Sequence, residues 1–362
     1  MKLIKKNIIH FQRYRYFFMK KKTIILGIES SCDDTGVSII QNRKVLSNII
    51  IHQKIHSKYG GVVPELASRL HDQNITKAVQ QAIFSAKIHR DRINAISFTL
   101  GPGLIGPLLV GASFAKSFSM GLEIPLLTVN HVQAHILSHF IQNANINNSY
   151  PNFPFLGLVI SGGHTQIIKV NDFFQMEILG STLDDSVGES LDKIARILGF
   201  YYPGGPMIEF FSKNGNQKKF IFSKPIVSGL DFSFSGFKSD VSQFIKKKLK
   251  KNTLFVKQNL SDICASIQNI IAEILLEKVE KAISQTGIFR IVLAGGVSAN
   301  HEIRRLFMSL SKKNKKLEIF IPKKEYTTDN GAMIAITGLL KYERKLFDSI
   351  HITPYSKFKT FS

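Results

Sequence analysis

Apolar runs and polar breaks divide the chain into two stretches of similar design. Thr23 to Ile28 is a short apolar run that predicts a strand, Glu29-Ser30-Ser31-Cys32-Asp33-Asp34-Thr35-Gly36 a tight acidic turn, and Val37 to Ile40 the returning strand of a hairpin. Gly60-Gly61 and Pro64 then open a helix from about Glu65 to Lys87, with proline in a tolerated first-turn position and Leu66, Leu70, Ile75, Val79 and Ile83 on one face. Ala95 to Thr99 reads as a strand running into Gly101-Pro102-Gly103-Leu104-Ile105-Gly106, and Leu108 to Met120 as a buried helix rich in small residues. The Pro/Asn-rich stretch from Asn143 to Pro154 favours turns and offers nothing to a core, which predicts a linker. Beyond it the first design repeats: Phe155 to Ile160 is an apolar run, Ser161-Gly162-Gly163-His164-Thr165 a small polar turn, and Gln166 to Val170 the partner strand. Phe289 to Leu293 predicts a further strand ending in Ala294-Gly295-Gly296-Val297-Ser298-Ala299-Asn300, with a helix starting near Asn300. A final helix from about Asn330 to Tyr342 is expected to return to the first lobe. The organisation this predicts is α/β: a basic extension over residues 1–22, a first lobe over 23–145 plus 325–345, a second lobe over 150–324, and a tail over 346–362.

Composition narrows the class. At 362 residues and 44% hydrophobic, the chain has enough apolar material for two moderate cores. An uninterrupted apolar stretch of about 18 residues is missing, so nothing is expected to span a membrane. Cys32 and Cys264 are too few for a disulfide framework and fit a reducing, cytoplasmic setting. The net charge of +22 favours a polyanionic partner such as tRNA or another nucleic acid. That inference is discounted, because AT-rich coding alone enriches Lys, Ile, Asn and Phe, and lysine runs such as Lys246-Lys247-Lys248 and Lys312-Lys313 more often mark solvated helix ends. The first 22 residues are basic without an acid and lack both a continuous apolar core and a small-residue cleavage site, unlike a secretory signal. Met19, directly before Lys20-Lys21-Lys22, is an alternative start.

The candidate chemistry begins with Asn130-His131-Val132-Gln133-Ala134-His135. Four-residue spacing puts both imidazoles on one helical face. With a distant carboxylate, Asp329 in Thr327-Thr328-Asp329-Asn330-Gly331, they would make a three-ligand site for a divalent ion with a position left open. Two helical histidines alone are as often a surface or core pair. Three turns, Ser30 to Thr35, Ser161 to Thr165 and Gly295 to Asn300, place small residues at strand ends, where backbone N–H groups can face phosphate oxygens. Strand-end clefts of this kind hold nucleotides in α/β proteins. A Gly-x-x-x-x-Gly-Lys-Ser/Thr loop is not present.

Taken together, Gly27-Ile28-Glu29-Ser30-Ser31-Cys32-Asp33-Asp34-Thr35, Gly60-Gly61-Val62-Val63-Pro64-Glu65-Leu66-Ala67-Ser68-Arg69, Gly101-Pro102-Gly103-Leu104, the two histidines, Ser161 to Thr165 and Gly295 to Asn300 resemble the tRNA threonylcarbamoyladenosine transferase family, collinearly from about residue 23 to residue 345. The resemblance implies the two-lobed fold of actin, Hsp70 ATPases and sugar kinases, with duplicated mixed-sheet lobes around a nucleotide cleft. It implies that His131, His135 and Asp329 hold one divalent metal ion, iron ahead of zinc, with Asp33 as proton acceptor or added ligand. By the same resemblance Val159, Ile160, Ser161, Gly162 and Gly163 cradle the substrate phosphate, and Asp192, Gly205 and Asn300 hold the ribose and base. Asp231 to Gly236 fits the family without a role. Two positions depart from the pattern: Asn130 stands where relatives often carry histidine, and Asp34 where many carry Glu.

The activity implied is transfer of the threonylcarbamoyl group from threonylcarbamoyl-AMP to the exocyclic amine of adenosine 37 in tRNAs that read codons beginning with A. The implied partners are tRNA, a catalytically silent paralogue docking on the Glu65 to Leu70 face, and a small P-loop ATPase, with no membrane. Three rivals stand beside it. A metalloprotease would need Glu where Val132 stands. A sugar or acetate kinase would need a catalytic carboxylate without the metal triad, and a scaffold would hold RNA without modifying it.

Overall fold

Each of the two repeated stretches becomes one five-stranded mixed sheet in the computed structural model, which describes residues 22–142, 150–357 and 361. Nearly all of the basic extension, and residues 143–149 of the expected linker, lie outside the described residues. In the first sheet β1 (Ile24–Glu29), β2 (Asp34–Gln41) and β3 (Lys44–His52) form an antiparallel meander, and β4 (Ala95–Gly101) and β5 (Leu126–Asn130) run parallel to β1, giving the order β3-β2-β1-β4-β5. The second sheet repeats this topology with β6 (Phe155–Ile160), β7 (Thr165–Asp172), β8 (Gln175–Ser181), β9 (Arg290–Ala294) and β10 (Glu318–Phe320) in the order β10-β9-β6-β7-β8. β1 and β6 are buried along their whole length, which is why both are almost continuously apolar.

Alternation along the strands sorts their side chains between three layers of helix. Ile24, Leu26 and Ile28 face α1 (Pro64–Ala86) and α2 (Ile105–Leu122) in one core with Phe98. Ile25 turns the other way, into a core shared with Phe155, Val159 and Val292 of the second sheet and with α3 (His131–Leu137) and α9 (Gly331–Glu343). Leu156, Leu158, Leu293 and Phe307 fill the outer core of the second lobe beneath α4 (Val187–Ile197), α5 (Gly204–Ser212), α6 (Ser235–Leu249), α7 (Phe255–Thr286) and α8 (His301–Lys313). The layering is helix, sheet, helix, sheet, helix, and α3 and α9 occupy the middle.

The last helix lies flush on the first sheet. A methyl group on Gly27 would stand 2.5 Å from the Gly331 carbonyl, and one on Gly36 2.8 Å from the Gly331 amide. Only glycine allows this approach, and it sets where Asp329, two residues before the helix, can reach. Residues 346–357 run back over the edge of β5 and the end of β4: Asp348 donates its amide to Leu126 O and accepts the Thr128 amide, while the Tyr355 amide donates to Leu100 O.

Three findings differ from the sequence reading. The apolar face of α1 is rotated, so that Ala67, His71, Ile75, Ala78, Val79 and Ala82 are buried while Leu66 and Leu70 stay half-exposed. β3, β5, β8 and β10 were not anticipated: β3 and β8 are half-buried outer strands without clean alternation, and β5 and β10 are five and three residues long. Finally, α2 reaches 18 residues with a mean hydropathy of 1.2, enough by length and composition to cross a bilayer. Lys116 interrupts its apolar run, and Leu108, Gly111, Ala112 and Ala115 are buried on its inner face.

Candidate metal centre and cleft

Asn130 accepts the Gln133 amide at 3.1 Å and so caps α3, whose first residue is His131 and whose fifth is His135. The two rings lie edge to face with centroids 4.7 Å apart. Asp329 enters from the loop before α9, and its Oδ1 stands 3.5 Å from His131 Nε2 and 3.2 Å from His135 Nε2. The three residues can each direct one donor atom at a common point, all within 4.8 Å of one another. Ligands about 2.1 Å from a tetrahedrally bound ion stand roughly 3.4 Å apart, so the two nitrogen–oxygen separations suit one metal. His135 adds a second sign, because its Nδ1 is buried without a hydrogen bond among the described residues and its Nε2 faces only the Asp329 carboxylate. The triad expected from the sequence therefore comes together and fits a single ion.

Burial and neighbouring charge act against each other here. Burial opposes ionisation of His131, but Glu29 and Asp329 outweigh it and hold its pKa up at about 9. Burial likewise works against the Asp329 carboxylate, yet the facing histidines keep it well below the usual carboxylate range. Burial pushes Asp34 up to about 7 against the pull of His52, whose Nδ1 lies 2.8 Å from Asp34 Oδ1. Asp33 is raised mainly by burial, with Asp329 adding to it, despite the Cys32 thiol and His56. His164, at the end of the Ser161 turn, is held neutral down to about 4 by burial and by the two histidines of the triad.

Sequence reasoning missed Glu29 and His71, both fully buried. Glu29 Oε2 accepts from His131 Nδ1 at 3.0 Å. His71 clasps the acidic turn: its Nε2–H donates to Cys32 O at 3.0 Å and its Nδ1 pairs with Thr35 Oγ1 at 2.8 Å. The available signals were a lone acid closing an apolar strand, and a histidine in register with Ala67, Ile75, Ala78 and Ala82 on one face of α1.

The other expected residues are committed in ways the sequence did not disclose. The Ser161 amide is spent within its own turn, donating to His164 O at 2.8 Å; among the described residues, those of Gly162 and Gly163 have no protein acceptor. The side chains of Val159 and Ile160 are buried in the two cores. Asp192 Oδ1 accepts the amides of Gly204 and Gly205 at 2.7 and 3.3 Å, fastening the start of α5. Asn300 caps α8 through the amides of Glu302 and Ile303 and donates to Gln268 Oε1 at 3.1 Å. Beside Asn300, Glu209, Lys213, Gln268, His301 and Arg305 line a cavity of about 430 Å³. Asp231 accepts the Ser181 amide at 2.9 Å, and Phe232 and Phe234 are core residues, so that segment is structural.

Duplicated five-stranded mixed sheets, with two histidines and one carboxylate converging in the helical layer between them, give this chain the α/β fold of the actin, Hsp70 and sugar-kinase class. Full-length HypF, solved in a phosphate- and nucleotide-bound form, shares this fold with a TM-score of 0.58 at 14% identity over 90% of this chain and 47% of that one. Component A of the Acidaminococcus fermentans (R)-2-hydroxyglutaryl-CoA dehydratase follows at 0.50 and 16% over 89% and 99%. The chain belongs to the tRNA N6-adenosine threonylcarbamoyltransferase family, whose model, TsaD, matches residues 44–336. Relatives of that name are 54% identical in Christiangramia forsetii and in Riemerella anatipestifer, over 94% of this chain and 99% and 98% of theirs, and 47% identical in Porphyromonas gingivalis over 94% and 99%. It is an acyltransferase acting in tRNA modification, which sets aside the hydrolase and kinase alternatives.

Proposed function

We propose that this chain attaches the threonylcarbamoyl group of threonylcarbamoyl-AMP to N6 of adenosine 37 of tRNA with His131, His135 and Asp329 holding one metal ion. The observation that carries this reading is the convergence of the triad in a chain of this family. Two imidazoles and one carboxylate with open positions suit iron(II), our choice, ahead of zinc. A bound ion supplies a Lewis acid for the acyl donor and a counter-charge for the departing phosphate.

The remaining work falls to the chain's own groups. N6 of adenosine is a poor nucleophile, since its lone pair is delocalised into the purine, so the acyl carbon must be held in line with it. The unspent amides of Gly162 and Gly163 receive phosphate oxygens, and the cavity beside Asn300 takes the adenosine of the donor. Asp192 and Asn300 serve by holding the starts of α5 and α8 in place around it. As N6 bonds to the acyl carbon and the bond to the phosphate oxygen breaks, Asp33 takes the amine proton and AMP leaves. Support for Asp33 over Asp34 is that Asp34 is already paired with His52, and that Asp33 is raised towards proton-accepting range. The half-exposed Leu66 and Leu70, with Ile105 and Leu109 about half exposed nearby on α2, offer a face for a related partner chain, and a small P-loop ATPase completes the set. The site of action is the cytoplasm, in keeping with two unpaired cysteines.

The test is anaerobic reconstitution with threonylcarbamoyl-AMP and unmodified tRNA, read by nucleoside mass analysis. The product is expected with the native chain, and Asp33→Asn should lose transfer at least about 100-fold while still binding AMP. Full activity in that variant would refute the role of Asp33.

A further inference from the structure

We infer that Glu29 is a positioning residue for the metal centre: it fixes His131 in the tautomer that offers Nε2 to the cation. The inference rests on the metal reading above. Side chains on β1 alternate, so Glu29 leaves the strand on the same side as Ile25 and Gly27, towards α3 and α9. A carboxylate taken out of water must find donors, and both oxygens of Glu29 do. Oε1 accepts the Ser31 amide at 2.5 Å, and Oε2 accepts the Thr99 hydroxyl at 2.7 Å and His131 Nδ1–H at 3.0 Å. Held from its own turn and from the neighbouring strand β4, the carboxylate cannot swing aside.

An imidazole that gives one lone pair to a metal keeps its proton on the other nitrogen, and a carboxylate on that N–H orients the ring and strengthens the donor. Ser31 Oγ also lies 3.2 Å from His131 Nδ1, but a hydroxyl both donates and accepts and so fixes no tautomer. His135 has no comparable support, its Nδ1 being without a hydrogen bond. His131 is thus the oriented ligand and His135 the adaptable one. In Glu29→Gln the amide can turn its NH₂ towards Nδ1, which would move the ring proton to Nε2, where the metal must bind.

The experiment measures Zn²⁺ affinity of the full chain by competition with a chromogenic chelator, with the visible spectrum of the Co²⁺ form as a report of ligand geometry. Glu29→Gln should weaken Zn²⁺ binding about 10- to 100-fold and alter the Co²⁺ bands. Thr99→Val keeps the charge, frees one restraint on Oε2 and should weaken binding about threefold, which keeps the inference testable if the first variant folds poorly. Both variants binding within twofold of the native chain, or Ser31→Ala losing as much as Glu29→Gln, would overturn the role of Glu29 alone. A native chain that takes up neither Zn²⁺ nor Co²⁺ overturns the metal reading, and the inference with it.

Discussion

His71 illustrates how much can depend on one enclosed side chain. Its imidazole satisfies a carbonyl on one side of the acidic turn and a hydroxyl on the other, and burial lowers its pKa, favouring the neutral ring. His71→Leu strands both groups in the core, and a loss of about 2–4 kcal/mol is expected from urea unfolding, whereas His71→Gln, which retains a donor and an acceptor, should lose about 1 kcal/mol. Equal losses would mean that the ring contributes only its bulk. At this scale the sequence was legible where residue types came in spaced sets. His131 and His135 are recognisable as a pair, and the Thr327-Thr328-Asp329-Asn330-Gly331 segment supplied the third ligand. Glu29 was not legible because a single polar residue closing an apolar strand carries no periodicity to mark it, and His71 because it is one of many polar residues along α1.

Among the elements, the first hairpin of each sheet and the helices α1, α2 and α9 were read close to their observed ends because amphipathic or fully apolar runs bounded by glycine and proline leave few alternatives, whereas α4 to α7, including the 32-residue Phe255–Thr286, were not delimited from the sequence. The face of α1 was misjudged because alanines and one histidine pack against β2 and β3 more closely than Leu66 and Leu70 could. The short helical turn after α3 carries His139, whose Nε2–H donates to Leu293 O of β9 at 2.7 Å and so fastens α3 to the second sheet. Burial lowers its pKa from 6.5 to about 4. The folded state therefore binds this proton less readily than the unfolded chain: the contribution is complete above pH 6.5 and drains away as pH falls towards 4. Between pH 7.5 and pH 5 the native chain should lose about 1–2 kcal/mol more in urea titrations than His139→Gln, allowing for partial exposure of the ring. Parallel losses in the two proteins would remove His139 as the cause.

For the whole molecule, the two repeated stretches were enough to indicate two sheets of one topology, since the same strand-turn-strand signature recurs after residue 154. What the sequence could not disclose is that α3 and α9 lie sandwiched between the sheets, because contacts between distant segments leave no local pattern. A metal bound there ties the loop before α9 to α3 across this middle layer. At a free concentration 100 times its dissociation constant, the ion should add about 2.7 kcal/mol and raise the melting temperature by about 4 °C. A chelator should remove that increment from the native chain and leave Asp329→Ala unmoved; an equal response in both would place the ion elsewhere.

The glycine-seated last helix also sets a timetable. Both imidazoles precede the whole second sheet in the chain, and the carboxylate that completes their set follows only with the closing stretch of the fold. A nascent chain halted at residue 300 would own two histidines and no trap, so on the metal reading proposed above an ion can be captured only after the loop before α9 has been made and seated.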